Sequence, residues 1–175
     1  MEDFSGLGPF DGDALNVIIE TPQGSRNKYD FDPARGLFRV SGVLPLGAVF
    51  PFDFGLVPAT RGEDGDPLDV LVLMEEPTFT GCFVAARLVG VIEAEQTERD
   101  GQAQRNDRLI AVAAHSHTYR GVTRLEDLDP ALLEEVEHFF VSYNQAKGKE
   151  FRPAGRGGAA RARRLVEEGR VHSDT

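Results

Sequence analysis

The chain has 175 residues and a mass of 19.2 kDa, which suits one domain with a substantial buried core. Hydrophobic residues make up 41% of the sequence and charged residues 27%, a balance that excludes an intrinsically disordered protein. The single cysteine, Cys82, excludes a disulfide scaffold and any metal site built from several cysteines.

The net charge of −10 is unevenly spread, because residues 147–175 hold eight basic and four acidic side chains while the rest of the chain is acidic. An acidic body argues against a nucleic-acid partner, since such binding neutralises phosphates with Lys and Arg. Residues 1–13 lack the basic start and apolar stretch of a signal peptide. No apolar run approaches the ~18 residues of a membrane span. We therefore expect a cytoplasmic protein without a membrane partner.

The first two thirds of the sequence predict short β-strands. Runs rich in β-branched and aromatic residues occupy positions 15–20, 29–32, 37–40, 70–74, 83–93 and 109–112. A cluster of turn residues at 21–26 separates the first two runs. The long run at 83–93 is expected to bend at Gly90. This pattern favours a small barrel or sandwich.

Helices are predicted only near the C-terminal end. Asp129 and Pro130 are typical of an N-cap and a first helical residue. The residues that follow are apolar at helical spacing, namely Leu132, Leu133, Val136, Phe140 and Tyr143. A second helix is predicted at 159–168. We expect a single domain over residues 1–175, with flexible ends at 1–13 and 170–175.

The most informative segment is Glu63–Val70, which reads Glu-Asp-Gly-Asp-Pro-Leu-Asp-Val. Gly65 allows a tight turn and Pro67 restricts the backbone, so Asp64, Asp66 and Asp69 are held close together. Like charges at such short range repel unless a cation neutralises them. Carboxylate oxygens on a rigid turn are typical ligands of Mg²⁺ or Mn²⁺. The alternative is a solvated acidic turn.

The Asp-Gly-Asp-Pro-Leu-Asp motif followed by an apolar strand resembles the signature of family I soluble inorganic pyrophosphatases. Further similar segments follow in the same order along the chain, at 17–20, 28–30, 50–55, 109–112, 138–140 and 143. The resemblance implies a mainly β fold with flanking α-helices, built on a five-stranded closed barrel of the oligonucleotide-binding (OB) type. It also implies Mg²⁺-dependent hydrolysis of pyrophosphate to two phosphates by a homo-oligomer.

The same resemblance implies roles for individual residues. Asp66 would be the catalytic general base or a metal-bridging carboxylate. The metal ligands would be Asp64, Asp66, Asp69, Asp100 and Glu20, and the substrate-binding residues would be Lys28, Tyr143 and Arg108.

Several positions depart from the family pattern, mostly in the substrate clamp. The departures are Gly42 for an Arg, Phe54 for a Tyr, Asn106 for an Asp ligand, Arg108 for a Lys, and Asn144 for a Lys. Arg39 would face away from the site unless a β-bulge intervenes, and Asp107 is an alternative to Asn106 as the metal-shell residue. These changes leave two further hypotheses open. One is a hydrolase of an organic diphosphate, and the other is a catalytically weak phosphate-binding or assembly protein on the same scaffold.

Overall fold

The computed structural model describes residues 4–171 of the chain. Its strands are β1 Phe10–Asp11, β2 Ala14–Thr21, β3 Asn27–Asp32, β4 Leu37–Val43, β5 Asp53–Leu56, β6 Asp69–Leu73, β7 Phe83–Thr97, β8 Ala103–Arg105, β9 Arg108–Ala113 and β10 Glu150–Gly158. Its α-helices are α1 Pro130–Ala146 and α2 Ala159–Glu168, and single turns of 3₁₀ helix cover Phe4–Gly6 and Leu125–Asp127.

Five strands form a closed ring in the order β2, β5, β6, β9 and β7, with β7 pairing back onto β2. Every neighbouring pair in the ring is antiparallel except β6 and β9, which run parallel. A ring of five strands with two helices confirms the predicted mainly β fold. In the register of the parallel pair, Asp69 lies opposite Arg108, and this pairing builds part of the site described below.

Both faces of the central strands are buried, which explains their continuous apolar runs. Val70 and Val72 of β6 belong to an apolar cluster that also contains Ala162 and Val166 of α2. The alternate residues of β6, at positions 71 and 73, belong to a second cluster that contains the buried face of α1. The two helices therefore cover opposite faces of the same strands.

The predicted start of α1 and the predicted span of α2 are confirmed. The Asp129 side chain accepts a hydrogen bond from the Ala131 backbone N–H at 2.9 Å and caps α1, and Pro130 is the first helical residue. The second helix spans the predicted residues 159–168. No helix within residues 4–171 is long and apolar enough to cross a membrane.

Strands β3 and β4 form a separate two-stranded sheet beside the ring. Lys28 lies opposite Gly42, but Tyr29 lies opposite Val40, so the register shifts by one residue at this point. This irregularity is the β-bulge without which Arg39 would face away from the site. It places Arg39 opposite Asp30. Residues directly opposite each other share one face of an antiparallel pair, so Arg39 lies on the face of Asp30.

The described C-terminal residues are attached to the loop that precedes the acidic turn. The Val171 backbone N–H donates to the Ala59 carbonyl at 2.9 Å, and Thr60 forms an isolated β-bridge with Arg170. The predicted flexible ends include residues 1–3 and 172–175, which lie outside the described part of the chain.

Candidate active site

The acidic turn of residues 62–66 is held by its own backbone. The Gly62 N–H donates to the Asp66 carbonyl at 2.8 Å, and the Gly65 N–H donates to the Gly62 carbonyl at 3.1 Å. Gly65 has φ +89°, a conformation that L side chains rarely adopt. The Asp64 carboxylate accepts the Asp66 N–H at 3.0 Å. The turn therefore presents Asp64 and Asp66 as exposed carboxylates on a rigid support.

Buried Thr60 connects the two ends of the loop that carries this turn. Its hydroxyl donates to the Val57 carbonyl at 2.6 Å and accepts the Leu68 backbone N–H at 3.0 Å. Because Leu68 immediately precedes Asp69, this pair of hydrogen bonds positions the turn relative to β6.

Asp69 opens β6 and faces a buried cation. Its carboxylate lies 2.8 Å from Nη1 of Arg108, its register partner on β9, and the Arg108 side chain is only 5% exposed. Burial raises the pKa of Asp69, while the charges of Arg108 and Lys28 lower it. The neighbouring carboxylates of Asp64 and Asp66 raise it further. Asp69 thus joins the acidic turn to the basic side of the site.

Glu20 stands at the end of β2 and is 8% exposed. Its Oε1 accepts the Phe31 backbone N–H at 2.9 Å. Burial raises the pKa of Glu20 to about 7, even though the charge of Lys28 and the hydrogen bond from Phe31 lower it. The charges of Asp69 and Asp30 add to the increase. A buried carboxyl group with so little neutralisation favours a cation nearby.

Lys28 and Tyr143 supply hydrogen-bond donors to the site. The buried Lys28 ammonium contacts the Asp30 carboxylate, donates to the Tyr29 carbonyl at 3.0 Å, and lies 5.2 Å from the centre of the Phe54 ring. The Tyr143 hydroxyl is buried and has no hydrogen-bond partner within residues 4–171. An unpaired buried hydroxyl is costly, so this group is available to a ligand.

These groups influence one another electrostatically. Burial raises the pKa of Tyr143, and the charges that influence it next are those of Asp30, Arg108, Asp69 and Glu20. The chain therefore brings carboxylates from three strands next to Lys28, Arg108 and Tyr143.

The donor chemistry fits a hard divalent cation, since carboxylate oxygens are the ligands that Mg²⁺ and Mn²⁺ prefer. The side-chain arrangement is less complete. Within residues 4–171, no three His, Cys, Asp or Glu side chains lie around a common point that would hold a metal ion. One oxygen of Asp69 is instead paired with Arg108.

Comparisons with known proteins point in the same direction as this geometry. The sequence pattern of the family described as "Inorganic pyrophosphatase" matches residues 17–173. The chain belongs to the inorganic pyrophosphatase family. It is 40% identical over 154 residues to soluble inorganic pyrophosphatase 2 of Chlamydomonas reinhardtii, covering 88% of this chain and 78% of that protein.

Two further comparisons define the extent of the similarity. The soluble inorganic pyrophosphatase of Oryza sativa subsp. indica is 38% identical over 144 residues, which cover 82% of this chain but 65% of the rice protein. This chain thus spans slightly less than two thirds of that relative. The crystal structure of inorganic pyrophosphatase from Thermus thermophilus superposes with a TM-score of 0.86 at 31% identity, covering 96% of this chain and 97% of that one.

The predicted site residues are not all placed alike. Glu20, Lys28, Asp69, Arg108 and Tyr143 lie together, and the acidic turn adjoins them. Asp100 is exposed on the turn between β7 and β8, where its carboxylate accepts the Gln102 N–H at 3.0 Å. Its charge is not among the main influences on the pKa of Glu20, Asp64 or Asp69.

The positions of Asn106 and Asp107 separate the two candidates for the metal shell. Asp107 accepts the Ala94 backbone N–H at 3.1 Å and pairs with Arg105 Nε at 2.6 Å, so its carboxylate is used in the scaffold. Asn106 faces the site, since its Oδ1 accepts from Arg108. Asn106, rather than Asp107, is the residue placed beside the Asp69 pair.

Two residues of the site have no strong local signal in the sequence. Gln96, which is 5% exposed, accepts the Asn106 amide N–H at 2.9 Å. Lys147 follows α1 and places its ammonium 4.4 Å from the centre of the Tyr143 ring. Burial lowers the pKa of Lys147, as do the charges of Lys149 and Lys28. The only signal in the sequence for a cation here is the position of Lys147, just after the C-terminal end of the helix that carries Tyr143.

The family departures open the substrate side. A Cβ built on Gly42 would have Lys28 Cβ as its nearest neighbour, 4.0 Å away. Asn144 is buried and donates to the Phe140 carbonyl at 2.8 Å, so it belongs to the helix rather than to the clamp. Phe54 contributes an aromatic face to Lys28 and Arg108 and brings no hydroxyl.

Proposed function

We propose that this protein hydrolyses inorganic pyrophosphate to two phosphates in a reaction that depends on Mg²⁺, with Mn²⁺ as a substitute. The observation that supports this most is the Asp69–Arg108 pair, which joins the acidic turn to a cluster of phosphate-binding donors. Membership of the inorganic pyrophosphatase family supports the same reaction. We further propose a cytoplasmic location, as the sequence predicts.

Asp64, Asp66, Asp69 and Glu20 are the residues that would hold the metal ions, and Asp100 is a further predicted ligand. Bound Mg²⁺ would neutralise phosphoryl oxygens and make water a stronger nucleophile at neutral pH. The pKa values of Glu20 and Asp69 support this assignment, because burial raises both and nearby cations would stabilise the ionised forms.

Lys28, Arg108 and Tyr143 would bind and orient the phosphate oxygens. Lys28 supplies a point charge, Arg108 a planar fork, and Tyr143 its unpaired hydroxyl. Asp66 would accept a proton from the attacking water. The water oxygen bonds to one phosphorus atom, the bridging P–O bond breaks, and the leaving phosphate takes that electron pair and a proton.

The open space beside Gly42 supports a second candidate function, the hydrolysis of an organic diphosphate. An arginine is absent there and Phe54 lacks a hydroxyl, so the pocket has fewer polar groups to exclude an organic substituent. A third candidate, a catalytically weak phosphate-binding or assembly protein, follows from the same losses.

Phosphate release separates the three candidates. Initial rates are measured with pyrophosphate and with a nucleoside diphosphate, each with Mg²⁺ and with chelator. The proposal requires rapid release from pyrophosphate only when Mg²⁺ is present. Faster release from the nucleoside diphosphate would support the second candidate, and slow release from both, with phosphate binding retained, would support the third.

We also propose that the protein is a homo-oligomer. Apolar side chains on β4 and the loop after it are exposed, including Leu37, Val40, Val43 and Leu46 at 54%, 55%, 62% and 85%. Val40 and Val43 lie opposite Tyr29 and Asn27 and so share one face of β4, and exposed apolar side chains grouped on one face are typical of an interface. Sedimentation velocity would show a species larger than 19.2 kDa, and a monomer at micromolar concentration would contradict the proposal.

A further inference from the structure

Arg108 is enclosed to an unusual degree for a charged residue. Its side chain is 5% exposed, and its guanidinium carbon lies 4.8, 5.2 and 5.9 Å from the ring centres of Phe140, Phe151 and Phe54. A buried cation is destabilising unless a carboxylate neutralises it at short range. Asp69, at 2.8 Å from Nη1, is that carboxylate.

Within residues 4–171, the other groups that contact Arg108 are neutral. Asn106 Oδ1 accepts from Nη1, and the Asn106 and Asp107 backbone carbonyls lie 3.4 and 3.2 Å away. The Asn106 amide is in turn oriented by the neutral, buried Gln96. On this side of the site one guanidinium is therefore balanced by one carboxylate.

A divalent cation that binds Asp69 lies close to this guanidinium and is repelled by its positive charge. Arg108 cannot lose its proton at any ordinary pH, so its charge is present whenever the metal arrives. The neutral amides of Asn106 and Gln96 add no carboxylate that would hold both cations at once.

We propose that the Arg108 guanidinium is a resident cation of the site, which neutralises Asp69 in place of one divalent ion and competes with metal for that carboxylate. The inference rests on the proposed function, because it concerns the metal site assigned there. Its consequence is that Asp64, Asp66 and Glu20 carry the stronger metal interactions, while Asp69 binds metal only when Arg108 is displaced. The displaced guanidinium, whose Nε has no partner within residues 4–171, then has donors for phosphate.

The test is a calorimetric titration of Mn²⁺ into chelator-treated protein without substrate. Removing the resident charge with Arg108→Gln should tighten Mn²⁺ binding by about tenfold or more, since a unit charge a few ångströms away has a large effect at a partly buried site. The matched control is Arg105→Gln, which removes a nearby cation that pairs with Asp107 and Glu93 instead. The control should change the affinity by less than about threefold.

A second variant and a second readout apply if Arg108→Gln does not fold. Arg108→Lys retains the charge and should leave the Mn²⁺ affinity within about threefold of wild type. In wild-type protein labelled with ¹⁵N-arginine, the Arg108 side-chain signals, identified by their loss in Arg108→Lys, should shift when Mg²⁺ is added.

Each result has one interpretation. Unchanged Mn²⁺ affinity in folded Arg108→Gln, or Arg108 signals that do not respond to saturating Mg²⁺, would overturn the inference and leave the proposed function intact. A tightening of equal size in Arg105→Gln would also overturn it. Absence of any metal binding by the wild type would overturn both the inference and the metal assignment in the proposed function.

Discussion

Replacing the buried Glu20 by Gln should stabilise the protein at alkaline pH when divalent cations are removed. Gln retains an amide oxygen that accepts the Phe31 N–H and removes the charge that burial opposes. The pKa of Glu20 is raised from 4.5 to about 7. The folded state therefore binds the proton more tightly than the unfolded state, so the stability of the wild type falls as pH rises from 4.5 through 7.

The size of this effect follows from the shift. One pKa unit corresponds to 1.36 kcal/mol, so ionisation of Glu20 lowers the free energy of unfolding by about 3 kcal/mol between pH 4.5 and pH 8. Glu20→Gln lacks this contribution. Its stability relative to wild type should consequently increase by about 3 kcal/mol over the same interval, and millimolar Mg²⁺ should reduce the difference by stabilising ionised Glu20.

Urea unfolding at pH 5, 6, 7 and 8 in chelator measures the effect. The control is Glu75→Gln, because Glu75 has its pKa lowered to about 2 by hydrogen bonds from Ser116 and Thr118. Its contribution is present above pH 4.5 and lost only as pH falls towards 2, so the control should be less stable than wild type by a constant amount from pH 5 to 8. Parallel curves for wild type and Glu20→Gln would refute the reasoning about Glu20.

Three further predictions test other parts of the site. Divalent cations should stabilise the fold by about 2.7 kcal/mol at a hundredfold excess over Kd, seen as a rise of several degrees in Tm by calorimetry; an unchanged Tm would favour a solvated acidic turn. Lys147→Gln should raise KM for pyrophosphate by about tenfold with little change in kcat, whereas Lys149→Gln, whose ammonium pairs with Glu98 at 2.8 Å, should not; equal effects would remove Lys147 from the substrate site. Thr60→Val should lower the free energy of unfolding by about 2 kcal/mol, because it leaves the Val57 carbonyl and Leu68 N–H unpaired; urea unfolding identical to wild type would contradict this role.

Local signals explain why much of the fold was predictable. The Asp129–Pro130 pair marks the start of α1 because capping and a fixed proline φ act within one turn. The apolar runs at 70–74 and 109–112 coincide with β6 and β9 because strands buried on both faces remain apolar throughout.

Strands β1, β5, β8 and β10 escaped prediction, and for β5 and β10 the reason is that distant contacts form them. Strand β10 contains Pro153 and three glycines, which read locally as breakers, yet it pairs with β7 along most of its length. Strand β5 contains Gly55, where a Cβ would overlap the Ile18 carbonyl of the neighbouring strand. In both cases the close approach of another strand, and not local preference, determines the structure.

The candidate site also combines features that a local sequence pattern predicts with features that only distant contacts produce. The acidic turn is one short segment, so its chemistry was visible in the sequence. The Asp69–Arg108 pair depends on the parallel register of β6 and β9, which no local pattern specifies. The choice between Asn106 and Asp107 required the side-chain directions, because both residues lie in the short link between β8 and β9, where no strand period applies.

The most direct test of the central claim is the initial rate of phosphate release from pyrophosphate with Mg²⁺, compared between wild type and Asp66→Asn. Asp66 is exposed on the rigid acidic turn, so its replacement should leave the unfolding transition unchanged while turnover falls at least a hundredfold. The control is Glu63→Gln on the same loop, whose carboxylate accepts the Arg105 N–H at 2.7 Å, and it should retain most of the activity. Near wild-type turnover by Asp66→Asn, or no release by the wild type, would contradict the account.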